Sequence, residues 1–335
     1  MNKFFCSLLI VIQFSSYCLA GQDEEADEAG KSNTNAQAVV STKAAKASKR
    51  LLMDIQRVGE SKLIAVGERG HILISEDEAN SWRQVIVPTQ VLLTKLLFVN
   101  EKIGWAIGHQ QNILKTEDGG ESWTLKYENA SVDQPALFDI WFKDENFGIA
   151  VGAYGLYLRT DDGGETWEDI YQESLEDVEI GFTHFYGITF DQSSEKLFMA
   201  GELGFLAISG DYGESWERIE SPYHGSFFGI EGLPNGRIIA FGLRGHLFWS
   251  DDLGQTWEQS ETGTTSGLQR ALMLNSKSLL IVGSDGTQLI SKDNAETVKL
   301  YKRSDRVHLA SAVKLESDEI LLVGVNGVMK ADFSH

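Results

Sequence analysis

Carboxylates and histidines are the side chains whose number and spacing in this sequence could support chemistry. Six segments set an Asp two residues after a Ser or Thr: Thr116 to Trp123 reads TEDGGESW, Thr160 to Trp167 TDDGGETW, Ser209 to Trp216 SGDYGESW and Ser250 to Trp257 SDDLGQTW. Ser75 to Trp82 (SEDEANSW) has Ala79 where the others have glycine, and Ser291 to Val298 (SKDNAETV) lacks both the glycine and the tryptophan. In this pattern the carboxylate of Asp77, Asp118, Asp162, Asp211, Asp252 or Asp293 can accept backbone N–H groups inside a tight turn. Gly120, Gly164, Gly213 and Gly254 supply the positive φ that such a turn needs. Trp123, Trp167, Trp216 and Trp257 bring large apolar area to pack the hairpin. Every part has a folding task, so the motif specifies structure and names no catalytic residue. The histidines show no i, i+2 or i, i+4 pairing of the kind metal sites use, so neither a metal nor a cofactor is implied.

The elements that must position these turns form a repeat. An apolar run ending in glycine recurs at Gly67, Gly108, Gly152, Gly201, Gly242, Gly283 and Gly324, at intervals of 41, 44, 49, 41, 41 and 41 residues. Each copy reads as four short strands; in the second these are Leu92 to Val99, a strand closing at Gly108, Asn112 to Thr116 and Trp123 to Tyr127. No stretch keeps a 3.6-residue apolar period. Four-stranded units of about 40–50 residues, repeated, predict an all-β fold: a seven-bladed β-propeller of four-stranded antiparallel blades. The last copy has only three strands, over Leu309–Leu315, Ile320–Gly324 and Val328–Ala331, and Ala38 to Ala45 is expected to supply the fourth and close the ring.

The N-terminus sets the expected compartment. Lys3, the apolar stretch Leu8 to Ile12 and Cys18-Leu19-Ala20 predict a signal peptide over residues 1–20, too short to span a bilayer. An exported, periplasmic protein follows, with a secreted or outer-surface location as the alternative. Both cysteines, Cys6 and Cys18, lie within it, leaving no disulfide, thiol ligand or thiol nucleophile in the mature chain. Residues 21–48 read as an acidic, low-complexity tether whose end lies against the last blade, and 49–335 as the propeller. The full chain carries a net charge of −20; removing residues 1–20, with one Lys and no acid, gives −21. That balance argues against nucleic acid and against an anionic membrane surface as partner.

Two groups of residues remain as candidate binding elements. The loops after each repeat glycine and those between blades bring Arg69, His71, His109, Tyr154, His184, Tyr186, Tyr223, His224, Arg244, His246, Arg303 and Arg306 to one rim, with His308 beside them. Arg and Tyr favour protein recognition, so this basic, aromatic rim is a candidate docking face. On the innermost strands Asp54, Lys95, Asp139, Gly187, Gly229, Arg270 and Ser311 fall at one level, where they either hold a small ligand or pair with one another.

The repeats resemble the BNR/Asp-box superfamily over about Leu51 to Asp332. Val151-Gly152-Ala153-Tyr154-Gly155 leading into TDDGGETW, and Phe241-Gly242-Leu243-Arg244-Gly245 leading into SDDLGQTW, are most similar to the photosystem II stability/assembly factor family. That resemblance implies a seven-bladed, non-enzymatic, exported scaffold; the chain is further expected to be a monomer and not itself transmembrane. It would bind membrane-protein subunits at the periplasmic or lumenal face and help assemble or stabilise their complex. The alternative is a carbohydrate-binding or sialidase-like glycoside-hydrolase propeller, which needs paired carboxylates or an arginine cluster with tyrosine. The region before Ser75 has no proline, and Met53-Asp54-Ile55-Gln56-Arg57 is not the Phe/Tyr-Arg-Ile-Pro motif of sialidases.

Overall fold

A computed structural model describes residues 39–129, 135–177 and 181–333. The expected signal peptide and most of the expected tether lie outside the described residues. Seven antiparallel sheets follow one another along the chain. The first holds β1 (Leu52–Val58), β2 (Lys62–Gly67), β3 (Ile72–Ser75) and β4 (Arg83–Val85); the second holds β5 (Leu93–Phe98), β6 (Gly104–Gly108), β7 (Ile113–Thr116) and β8 (Thr124–Tyr127). The third is β9 (Leu137–Phe142), β10 (Gly148–Gly152), β11 (Tyr157–Thr160) and β12 (Glu168–Asp169); the fourth is β13 (Phe185–Asp191), β14 (Lys196–Gly201), β15 (Leu206–Ser209) and β16 (Glu217–Arg218). The fifth runs β17 (Phe227–Gly232), β18 (Ile238–Gly242), β19 (Leu247–Ser250) and β20 (Glu258–Gln259), and the sixth β21 (Leu268–Met273), β22 (Leu279–Gly283), β23 (Thr287–Ser291) and β24 (Lys299–Lys302). The seventh has three strands, β25 (Leu309–Lys314), β26 (Ile320–Gly324) and β27 (Gly327–Lys330). First strands touch in cyclic order, β25 meeting β1, so the sheets form the blades of a closed propeller.

The core lies between blades. Each of seven apolar clusters draws on two neighbouring blades, including one that joins Leu315, Leu321 and Val323 of the last to Leu52, Ile55 and Leu73 of the first. Second strands are buried on both faces, which is why they read as unbroken apolar runs such as Leu63-Ile64-Ala65-Val66. Fourth strands are short and largely exposed.

The ring closes without the strand expected from residues 38–45. Ser41 is bonded to Val87 through both its backbone and its hydroxyl, and Gln84 of β4 holds Ala44 and Thr42, which ties this stretch beside the first blade. Ala47–Lys49 then forms a single 3₁₀ turn against β27, with Ala47 buried in the seam cluster. The segment packs against the last blade and forms no ladder with it.

Candidate docking face

The six Asp-box turns share one hydrogen-bond pattern. In the second blade, Asp118 Oδ1 accepts from the Thr116 hydroxyl at 2.8 Å and the Ser122 amide at 2.9 Å, while Oδ2 accepts from the Ser122 hydroxyl at 2.6 Å. The Gly120 amide returns to the Thr116 hydroxyl at 2.9 Å. The variant copies keep these bonds, with Ala79 and Ala295 at φ 67° and 68° where Gly120 sits at 88°. Hydrogen bonds to the charged form hold the Asp162 and Asp252 carboxyls down at about 2, the Thr166 and Thr256 hydroxyls contributing most. The carboxylates are thus occupied within their own turns.

The tryptophans reach further than the sequence suggested. Trp123 packs on Ile64, Ile74 and Val85 of the preceding blade, and Trp216 donates to the Tyr157 hydroxyl of its preceding blade at 3.3 Å. The acid just after the motif glycine completes this joint, and sequence reasoning missed it. Glu121 pairs with Lys62 and Arg83, Glu165 with Lys115 and Lys126, and Glu214 with Arg159, each on the blade before. Its signal was the recurrence of Glu within the turn opposite a strand cation. One end of the propeller is therefore committed to holding blades together.

Inside the ring the polar level found on the first strands is a set of staples. Asp54 accepts from the Leu96 amide at 3.1 Å, the Ser311 hydroxyl at 2.7 Å and Arg270 Nη2 at 3.2 Å, joining four blades. Asp139 accepts from the Ile188 amide at 3.1 Å and pairs with Lys95 at 3.0 Å. Glu231, half-buried in the ring, has its carboxyl pushed up to about 8, first by loss of bulk water and then by the charge of Asp139.

The opposite end carries the turns between second and third strands. The repeat glycine admits close packing there: a Cβ on Gly67 would lie 2.1 Å from the Leu51 carbonyl oxygen. The turn in the third blade is bonded at both ends, Ala153 N–H to the Ala136 carbonyl and Gly155 N–H to the Thr183 carbonyl of the next blade, both at 2.9 Å. Between these anchors one residue is lifted out with left-handed φ: Arg69 (54°), Gln110 (56°), Tyr154 (57°), Leu203 (54°), Arg244 (59°) and Asp285 (56°). Left-handed backbone costs a non-glycine residue roughly 1–2 kcal/mol. The first five side chains are nevertheless exposed, Tyr154 by 66% and Leu203 by 55%.

Aromatic rings gather beside Tyr154. Tyr154 stands edge-on to His184 at 4.6 Å between centroids, Phe138 lies 5.3 Å from Tyr186, and Tyr186 lies 5.5 Å from Phe228, so the patch crosses three blades. Phe138 and Phe228 escaped the sequence reading because each sits inside an apolar strand, with no cue to its facing.

Other rim candidates are placed differently from the expectation. His71 is 2% exposed, and burial lowers the pKa of His71, His109 and His308, which leaves them neutral and turned inward. His246 stacks 4.2 Å from Tyr223 in a second ring group and is also lowered by burial, while His224 is exposed. Arg303 is tied to Asp305, and Arg306 with Lys302 to Asp285. The basic character of the rim therefore rests on Arg69 and Arg244, exposed and without an ion-pair partner among the described residues.

Seven blades, six of them with an Asp-box turn at one end, and a row of exposed residues on left-handed turns at the other, define an Asp-box β-propeller. The chain resembles the photosystem II assembly factor family: the profile described as "Photosynthesis system II assembly factor YCF48" matches residues 74–135 and 126–224. Among solved structures, "YCF48 bound to D1 peptide" superposes with a TM-score of 0.67 at 17% identity, covering 84% of this chain and 91% of that one. YCF48 from Cyanidioschyzon merolae gives 0.66 at 16%, covering 84% and 94%. An ancestral GH74 enzyme gives 0.65 at 15%, covering 84% of this chain and 45% of that one. At these identities the superpositions establish fold alone. No curated protein matches the sequence.

Proposed function

We propose that this chain is a non-catalytic, exported docking protein that holds a segment of a membrane-protein subunit on the face around Tyr154 and Leu203, helping a membrane complex to assemble. The observation that carries this reading is the row of exposed side chains on left-handed turns, because such positions cost stability and the framework gains nothing from these side chains. Backbone strain of this kind points to recognition. An exposed apolar–aromatic patch flanked by Arg244 has the composition of an interaction surface. The likeness to the YCF48 family and the D1 peptide bound by one relative support a binding role of the assembly-factor kind and a membrane-protein partner. The likeness to a family of exported factors and the N-terminal sequence support a periplasmic site of action.

The test is crosslinking in cells with the tagged protein, followed by mass spectrometry of the membrane fraction, beside a Tyr154→Gly, Leu203→Gly, Arg244→Glu variant. Recovery of one integral membrane complex by the wild type, and its loss in the variant, is expected. Recovery of glycans alone, or equal recovery by the variant, overturns the reading.

A further inference from the structure

Among the described residues six blades end in a fourth strand and the seventh has β27 as its last. The Ala331 amide bonds back to the Ile320 carbonyl at 2.9 Å, and Lys330 sits opposite Leu321, so the backbone groups of Val328 and Lys330 point away from the sheet. Arg303 Nη1 donates to the Lys330 carbonyl at 2.8 Å. Among the described residues no hydrogen bond reaches the Lys330 N–H or the Val328 carbonyl. In filled blades the counterpart carbonyls are used. Tyr157, which faces Val151 as Val328 faces Val323, accepts from Ile170 at 2.9 Å, and Leu206 and Leu247 accept from Ile219 and Ser260 at the same distance.

Beside this edge runs a groove of about 910 Å³, floored by Val328, Met329, Leu315 and Leu321 and walled by Trp82. Trp82 is the first-blade counterpart of Trp123. Trp123 has Val85 of a fourth strand to pack on, and at the seam that strand is missing. Carboxylates outnumber ammonium groups on the lining, with Glu78, Glu316 and Glu319 against Lys49 and Lys330.

We propose that this edge is a second binding site, which takes an extended, basic and apolar segment of a partner protein as the fourth strand of the last blade. Strand addition of this kind draws affinity from main-chain bonds and specificity from the pockets of alternate side chains. The filled seats indicate the chemistry. Five of the six offer an apolar residue inward (Val85, Leu125, Ile170, Ile219, Leu300), the fifth blade having the buried Ser260 there, and two carry a cation, Arg83 or Lys126, that pairs with the next blade's Asp-box turn. At the seam Glu78 is paired with Arg57 at 3.1 Å and Glu319 with Lys330 at 2.9 Å, while Glu316, 61% exposed and 3.9 Å from Arg57, is the acid of the lining with room for such a cation. Residues 21–38 of the chain itself do not fit, for they contain no Val, Leu, Ile or aromatic residue and are acidic.

The probe is a fluorescein-labelled Arg-Gln-Val-Ile-Val peptide, the sequence that fills the first blade's seat, with Gln-Asp-Glu-Glu-Ala as control. Added to the purified protein, the first is expected to bind saturably and to slow hydrogen exchange at the Lys330 amide, and the second to do neither. Lys330→Pro removes that donor at an unpaired position; a tenfold or greater loss of binding with an unchanged unfolding midpoint is expected, and Glu316→Lys should weaken binding as well. Equal binding by Lys330→Pro, or a Lys330 amide already protected in the free monomer, overturns the proposal. So does a dimer by light scattering that the peptide leaves intact, because a second copy would then hold the edge. The Tyr154→Gly variant should bind the peptide normally, so failure here is separable from failure of the docking face.

Discussion

The backbone amide of Tyr154 donates to Nδ1 of His184 at 2.9 Å, across the boundary between the third and fourth blades. That bond fixes the proton of the neutral imidazole on Nε2, which faces Glu202 at 3.9 Å. The left-handed turn that displays Tyr154 is thereby clamped from the neighbouring blade, and His184 acts as a positioning residue for an exposed aromatic side chain.

A trade-off between stability and binding follows. Tyr154→Gly relieves left-handed strain and should raise unfolding stability by about 1 kcal/mol, while partner capture falls at least tenfold. Tyr154→Ala keeps the strain and should lose binding without gaining stability. Chemical denaturation and the crosslinking yield measured on the same two variants decide the matter; a Tyr154→Gly protein no more stable than wild type would show that the turn is not strained.

The variant Asp-boxes offer a cleaner stability test. Ala79 occupies the glycine place at φ 67° and is only partly buried, so Ala79→Gly should stabilise by about 1 kcal/mol. The thermal midpoint reports it. Gly164→Ala should do the reverse and more strongly, because a methyl there would lie 2.5 Å from Nε1 of Trp105.

Two carboxylate groups give opposite pH slopes. Asp162 and Asp252 are held at about 2 in the fold against an ordinary 3.8, so their contribution is present above pH 4 and is lost as pH falls towards 2. Glu231, raised from 4.5 to about 8, and Asp139, raised from 3.8 to about 8, both chiefly by burial, keep protons that the unfolded chain releases, and stability declines as pH rises from about 4 to 8. Glu231→Gln should lessen the upper slope, and Asp162→Asn the lower. Denaturant midpoints from pH 2 to 9 measure both.

Asp54 is 4% exposed and holds four blades at once. Asp54→Ala leaves Arg270 and the Leu96 amide without this partner and should cost about 3–5 kcal/mol, the range for breaking a buried charged pair. Ser311→Ala, which removes one neutral donor, should cost about 1 kcal/mol. Equal losses in the two would mean that the charge itself contributes little.

Much of the architecture could be read from residue types alone, because repetition multiplies a weak local signal. The second blade's strands fall within a residue of the expected ones, since Gly108 and the Asp-box turn punctuate them. The closing of the ring was misread because a strand count says how many partners a sheet lacks, and packing decides whether the lack is filled. Ser41 found Val87 of the first blade, and Ala47 filled a hole between two blades. At the candidate docking face, position after the repeat glycine located Tyr154 and Arg244 on exposed left-handed turns. It gave no account of His71 and His109, because a histidine in a loop faces out or in according to neighbours distant in sequence. Glu121, Glu165 and Glu214 went unnoticed for the same reason: their partners stand on another blade.

The five exposed left-handed residues lie outside every apolar cluster between blades. Substitution there leaves the fold's own requirements untouched and, on the proposed docking reading, rewrites only the message shown to a partner. On that reading a lineage carrying this scaffold can change its clientele by point mutation at a handful of codons, with no insertion or deletion and no intermediate that fails to fold.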